Sequence, residues 1–256
     1  METFNAFFIF ILGLSIGSFL NVLIDRLPKE RSIMGRSECD FCHHELTWFD
    51  LVPVISFFCL GRRCRYCRKK LSWQYPVVEM LTGAVFLSLY ICVPANPINR
   101  GIYLALASSL IVIFLSDAKY RIIPDSMQLT FFISVLLLKF FDKNIIISLI
   151  YGFRDSLIVM APILFIYLFT KGRGMGFGDV KLSFTIGFFL GILKGFMALY
   201  SAFVLGAIVG IILIAIKKKR LKSKVAFGPF LVLGVIITCI WQRELAKMIF
   251  YFYGFK

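Results

Sequence analysis

The chain is interrupted by eight long apolar blocks, at about 4–24, 76–94, 100–118, 124–141, 144–170, 180–193, 196–216 and 227–253. A helix needs roughly 20 apolar residues to cross a bilayer, and several of these blocks approach that length. The hydrophobic share of 59% and the mean hydropathy of +0.85 exceed what a soluble domain carries. The expected fold is therefore an all-α polytopic membrane protein with about eight transmembrane helices. The division between the sixth and seventh blocks rests on Lys194 and Gly195.

Charge then sets orientation. No basic residue precedes the first block, whereas Arg26, Lys29 and Arg31 follow it. A cleaved signal peptide has the opposite order, so the first helix reads as uncleaved with its N-terminus outside. Segments 25–75, 119–123, 171–181 and 217–224 then face the cytoplasm and hold 21 of the 29 Lys and Arg residues, as the positive-inside rule requires. The net charge of +15 is thus read as membrane orientation, with lipid rather than nucleic acid as its partner.

Residues 25–75 form the one long polar segment. It carries Cys39-Asp-Phe-Cys42 and Cys64-Arg-Tyr-Cys67, with 21 residues between the pairs. Each C-x-x-C turn presents two sulfurs, and two turns complete a tetrahedral zinc site. Arg62, Arg63, Arg65 and Arg68 favour the thiolate form. Disulfides are disfavoured on a reducing face; a lone C-x-x-C would suit redox chemistry, but two pairs in one loop favour zinc. A small cytoplasmic zinc-ribbon-like domain between helices 1 and 2 is expected, with Cys39, Cys42, Cys64 and Cys67 as closed, structural ligands. His43 and His44 could substitute as ligands, but read rather as surface neighbours of the first turn. Cys59, Cys92 and Cys239 are expected to be small buried hydrophobes.

Acids at membrane edges are costly and mark function. Asp117 ends the third block, and Asp179 sits in Gly174-Met-Gly176-Phe-Gly178-Asp179-Val-Lys181. The topology returns both to the cytoplasmic boundary. The three glycines give a backbone that can take positive φ and can approach a second chain closely. Two carboxylates held together share a proton and can activate water. Each also has a structural alternative: Asp179 as a helix cap, Asp117 as a partner of Lys119 or Arg121. Asp125, after Pro124, reads as a turn or cap residue.

These segments together resemble the type IV prepilin peptidases, a GxGD class of aspartyl proteases, over nearly the whole chain. The resemblance rests on Gly17-Ser-Phe-Leu-Asn21-Val, on Asp50-Leu-Val-Pro-Val-Ile-Ser-Phe-Phe, and on Tyr75-Pro-Val-Val-Glu79-Met-Leu-Thr-Gly83. It rests also on Ser116-Asp117 with Ile123-Pro124-Asp125, on Gly176-Phe-Gly178-Asp179-Val-Lys181-Leu, and on Phe227-Gly228-Pro229-Phe230. The family usually has Ile or Leu where Ser116 stands. The resemblance implies Asp117 and Asp179 as catalytic residues, with Gly176, Gly178 and Lys181 as substrate-binding positions. It implies a bacterial inner-membrane enzyme that cleaves the basic leader of type IV prepilins or pseudopilins after glycine. It implies also N-methylation of the new terminus from S-adenosylmethionine, with Glu79 facing either that site or the cytosolic domain. The domains would be 1–24, a first transmembrane helix; 25–75, a four-cysteine zinc domain; and 76–256, the membrane-embedded protease. Glu38, Asp40, Glu45 and Asp50 are the expected contacts for the cationic leader. A transporter or proton channel would also place acids at membrane edges, and a zinc-dependent interaction protein would also use the cysteine loop.

Overall fold

The computed structural model describes residues 2–142, 144–216 and 226–252, the side chains of residue 2 and of 242–252 excepted. The expected basic run at 217–224 lies outside them. The helices are α1 (Glu2–Arg26), α2 (Ile55–Cys59), α3 (Gln74–Cys92), α4 (Pro97–Tyr120), α5 (Asp125–Phe140), α6 (Ile145–Phe169), α7 (Phe177–Ala215) and α8 (Gly228–Phe252). The chain divides into two compact units, Met1–Val112 and Ile113–Lys256, with the division inside α4.

In the first unit α1 and α3 pack antiparallel at very short range. A Cβ added to Gly13 would lie 2.7 Å from Gly83 Cα, and one added to Gly17 would lie 2.7 Å from Glu79 Cα. One turn further, Asn21 Nδ2 donates to the Tyr75 carbonyl at 3.2 Å. Residues four apart on each helix thus meet in one seam, the small-residue packing that replaces hydrophobic drive between membrane helices. Between them, only Cys39, Phe57 and Cys64 are buried in the whole segment 27–72.

In the second unit the core is Phe131, Val159, Ile163, Leu182, Ile186, Phe188 and Leu231, all fully buried. Helix boundaries follow local chemistry. Arg121 takes positive φ and Pro124 stands just beyond α4, a common way to stop a helix. Lys171 and Gly172 do the same after α6.

Among the described residues five helices are long and apolar enough to cross a membrane: Thr3–Lys29, Gln74–Cys92, Pro97–Tyr120, Ile145–Phe169 and Phe177–Ala215. Gly228–Trp241 is apolar but shorter, and α5 has 16 residues. The expected break at Lys194-Gly195 is instead at Gly191, whose φ of 77° and ψ of −180° suit glycine alone. The chain bends back there. The Cβ positions of Gly187 and Gly195 lie 2.9 and 2.8 Å from atoms of the same Val159 side chain, whereas eight residues of straight helix span about 12 Å. Cys59, Cys92 and Cys239 are exposed, not buried as expected. All three lie on helices, and their neighbours do not cover them.

Candidate active site and metal centre

Asp117 lies in the last turn of α4 and Asp179 in the first turn of α7; both are buried. Asp117 Oδ2 accepts the backbone N–H of Gly228 at 2.9 Å. Gly228 opens α8, so a helix N-terminus, with its partial positive charge, holds this carboxylate. A Cβ at residue 228 would stand 2.8 Å from that oxygen, so the contact requires glycine. Pro229 costs nothing at this position, since the first-turn amide of a helix lacks an internal partner anyway.

Asp179 is held by its own helix start. Its Oδ2 accepts the N–H of Gly176 at 3.1 Å, the reach-back half of a capping box. The capping role foreseen for Asp179 therefore exists, at the third helical position rather than at the cap. The carboxylates of Asp179 and Asp117 are near enough to interact electrostatically. Ile123, from the turn between α4 and α5, packs against both segments: its side chain lies 3.3 Å from a Gly178 Cβ position and 3.1 Å from that of Gly228.

The glycines before Asp179 do not use the left-handed conformation open to them. Gly174, Gly176 and Gly178 do not take positive φ; the left-handed residues here are Lys171 and Gly172. Gly176 is extended, with φ −78° and ψ 152°, because it serves as the cap of α7. At Gly178 the constraint is space beside Ile123. Lys181 donates to Asp125 Oδ1 at 2.8 Å and lies over the Phe177 ring, tying the start of α7 to the start of α5. Ser116 is fully buried, and its hydroxyl has no hydrogen-bond partner among the described residues. Gln128 is buried beside Gly178, and neither of its amide atoms has a partner among the described residues. Sequence reasoning missed the role of Gly228 and the burial of Gln128 beside Gly178. For Gly228 the signal was a Gly-Pro pair opening an apolar run.

In the first unit the four sulfurs of Cys39, Cys42, Cys64 and Cys67 lie within 4.8 Å of one another, a group able to hold a metal ion. The two turns are built alike. Cys39 N–H donates to His44 O and His43 N–H to Cys39 O; Cys64 N–H donates to Lys69 O and Arg68 N–H to Cys64 O. His43 and Arg68 both take positive φ to close their turns. His43 faces Glu38 and the His44 ring lies tilted against Tyr66, and neither joins the cluster. Burial pushes the Cys39 thiol up to about 11. Burial raises Cys64 too, but hydrogen bonds from the N–H groups of Cys67 and Tyr66, together with those to the Cys39 and Cys67 thiols, outweigh it and bring it down to about 7.

A cavity of about 610 Å³ opens beside this cluster, lined in part by Ser18, Asn21, Asp25, Phe57, Tyr75 and Glu79. Buried Glu79 accepts the N–H of Val54 at 2.7 Å. Val54 has φ 62° and ψ −52°, a strained conformation for a β-branched residue, so Glu79 fixes one cavity wall. The acids expected to meet a cationic leader have internal partners: Glu45 pairs with Arg36, Glu38 with His43, Asp50 with Arg65, and Asp40 accepts from Tyr75.

Comparison with known proteins adds to this geometry. Residues 11–93 match the bacterial peptidase A24 N-terminal domain, and residues 104–211 match the type IV leader peptidase family. The chain is 30% identical to a prepilin leader peptidase/N-methyltransferase of Bacillus subtilis, over 91% of this chain and 93% of that protein. It is 27% identical to one of Pseudomonas aeruginosa, over 96% and 93% respectively. An Aeromonas hydrophila relative of the same name is 29% identical over 93% and 91%. No solved structure matches the chain.

Proposed function

Because the chain belongs to the type IV leader peptidase family, we propose that it is a membrane aspartyl endopeptidase that removes the basic leader of type IV prepilins or pseudopilins. The supporting observation is a pair of buried carboxylates, Asp117 and Asp179, each fixed by one backbone N–H at a helix end. Such a pair shares a proton, since both cannot ionise cheaply side by side. The ionised carboxylate takes a proton from water as its oxygen attacks the carbonyl carbon. The protonated one donates to the carbonyl oxygen. As the tetrahedral adduct collapses, the C–N bond breaks, the carboxyl that took water's proton gives it to the departing amine, and a hydroxyl of the adduct returns its proton to the other carboxylate. The titration belongs to the pair.

Eight crossings follow if α5 and α8 span and α7 crosses twice about Gly191. The N-terminus is then outside, and both aspartates meet the cytoplasmic boundary of the inner membrane, where a basic leader joins its apolar stem. Residues 25–75 form the zinc domain and 76–256 the protease. Zinc suits the four-cysteine donor set: tetrahedral Zn–S bonds of ~2.3 Å put sulfurs about 3.8 Å apart, and Cys39 Sγ and Cys67 Sγ are 3.9 Å apart. Gly176, Gly178 and Lys181 are proposed to border the bound leader, with Lys181 acting through its pairing to Asp125.

The second activity would be N-methylation of the new terminus. The cavity beside Glu79 is within the range of small-molecule sites, and its carboxylates and hydroxyls suit the ammonium and ribose of S-adenosylmethionine. That cofactor would supply the electrophilic methyl group. Asp25, Tyr75 and Glu79 would hold it and the incoming amine.

The deciding experiment is leader cleavage by purified protein, wild type against Asp117→Asn and Asp179→Asn. Each variant is expected to lose at least about 1,000-fold in kcat while retaining the thermal transition of the wild type. Cleavage at the wild-type rate by both variants would overturn the proposal, as would ion flux in proteoliposomes without any peptide cleaved.

A further inference from the structure

On the first unit, a second concavity of about 320 Å³ is lined by Phe57, Phe58, Gly61, Arg62, Arg63, Lys70 and Trp73. Its floor is aromatic: Phe57, Phe58 and Trp73 lie within 5.3–6.3 Å of one another, centroid to centroid. Its walls are cationic. Positive φ at Gly61 and Arg62 curls the chain, so that the Arg62 guanidinium lies 5.4 Å from the Trp73 ring centre. An antiparallel bridge sets Arg63 opposite Lys70. Arg36 and Arg65 of the same segment are ion-paired, but Arg62, Arg63 and Lys70 have no carboxylate partner among the described residues.

The place of this cleft selects its occupant. Trp73 immediately precedes α3, which is long and apolar enough to cross a membrane. The cleft therefore sits at headgroup depth, where tryptophan concentrates. Phe58 and Trp73 are 59% and 53% exposed, and nearby Ile55 is 63% exposed. A free phosphate would satisfy the cations and leave these rings in water. A cationic peptide would be repelled. A lipid offers an anionic headgroup to the cations and acyl chains to the rings.

We propose that this cleft binds the headgroup of an anionic phospholipid of the surrounding bilayer and so clamps the cysteine-containing segment flat on the membrane at the start of α3. The inference requires α3 to enter the bilayer and is independent of the peptidase reading.

The test uses the full chain with Trp73 as its single tryptophan (Trp48→Phe, Trp241→Phe). Quenching of Trp73 is measured in bilayers holding brominated phosphatidylglycerol or brominated phosphatidylcholine. The expected result is half-maximal quenching at roughly tenfold less phosphatidylglycerol. Arg62→Gln/Arg63→Gln/Lys70→Gln should abolish that preference, and Arg62→Lys/Arg63→Lys/Lys70→Arg should keep it, both with wild-type metal content. Equal quenching by the two lipids would overturn the proposal, as would no quenching, or a preference that survives in the glutamine variant. Displacement of phosphatidylglycerol by millimolar inorganic phosphate would overturn it in favour of a free-anion site.

Discussion

Gly228 shows how much one missing side chain can decide. Its N–H positions Asp117, and the carboxylate occupies the space a Cβ would take. Gly228→Ala is expected to push the carboxylate aside by overpacking worth about 1–3 kcal/mol. The resulting loss in kcat, about 10- to 100-fold, should appear in a cleavage assay without a change in membrane insertion. Gly178→Ala meets the Ile123 side chain at 3.3 Å and Gln128 Nε2 at 3.6 Å, with no contact under 3 Å, and should be milder. If the two alanine variants had equal activity, the Gly228 contact would not be what positions Asp117. These glycines are therefore not interchangeable, although only Gly178 stands beside an acid in the sequence and Gly228 lies between Phe227 and Pro229.

Among the elements, the α1–α3 pair depends most on detail. Its seam runs through Gly13 and Gly17 against Gly83 and Glu79, with backbone in contact on both sides. Gly17→Val would force the helices apart and should lower the thermal transition, at a cost of about 1–3 kcal/mol or more. Gly101→Val, where nothing lies near the Cβ position, is the matched control and should leave the transition unchanged. The bend of α7 follows a similar logic. Gly191 adopts a conformation closed to other residues, which lets both arms of α7 reach Val159. The apolar pattern around Lys194 could not locate that bend, because the pattern is continuous on both sides.

At the scale of the whole molecule, the segment between α1 and α3 buries too little to hold itself. Three buried residues in 27–72, two of them cysteines, give almost no apolar core, and a metal would supply the missing stability. Stripping metal with a chelator is expected to leave the α1–α3 pair helical while protease cleaves within 61–72. Circular dichroism and limited proteolysis would check this, and resistance of the stripped segment would show that the metal is dispensable. Cys39→Ser should reproduce the chelator result.

Family, helical architecture, the four-cysteine cluster and the segments bearing Asp117 and Asp179 were all legible in the sequence. Apolar block length, C-x-x-C spacing and motif order are local properties, and each survives without knowledge of contacts. Tertiary structure decided what depends on distance between remote residues. It brought the Gly228 amide onto Asp117 across 111 positions, engaged Lys181 with Asp125, and folded α7 at Gly191 instead of Lys194. It also decided that the glycines before Asp179 do not use positive φ, and drew the expected leader-binding acids into pairs of their own. Spacing along a chain fixes which groups a helix end presents, but only packing fixes what stands opposite them.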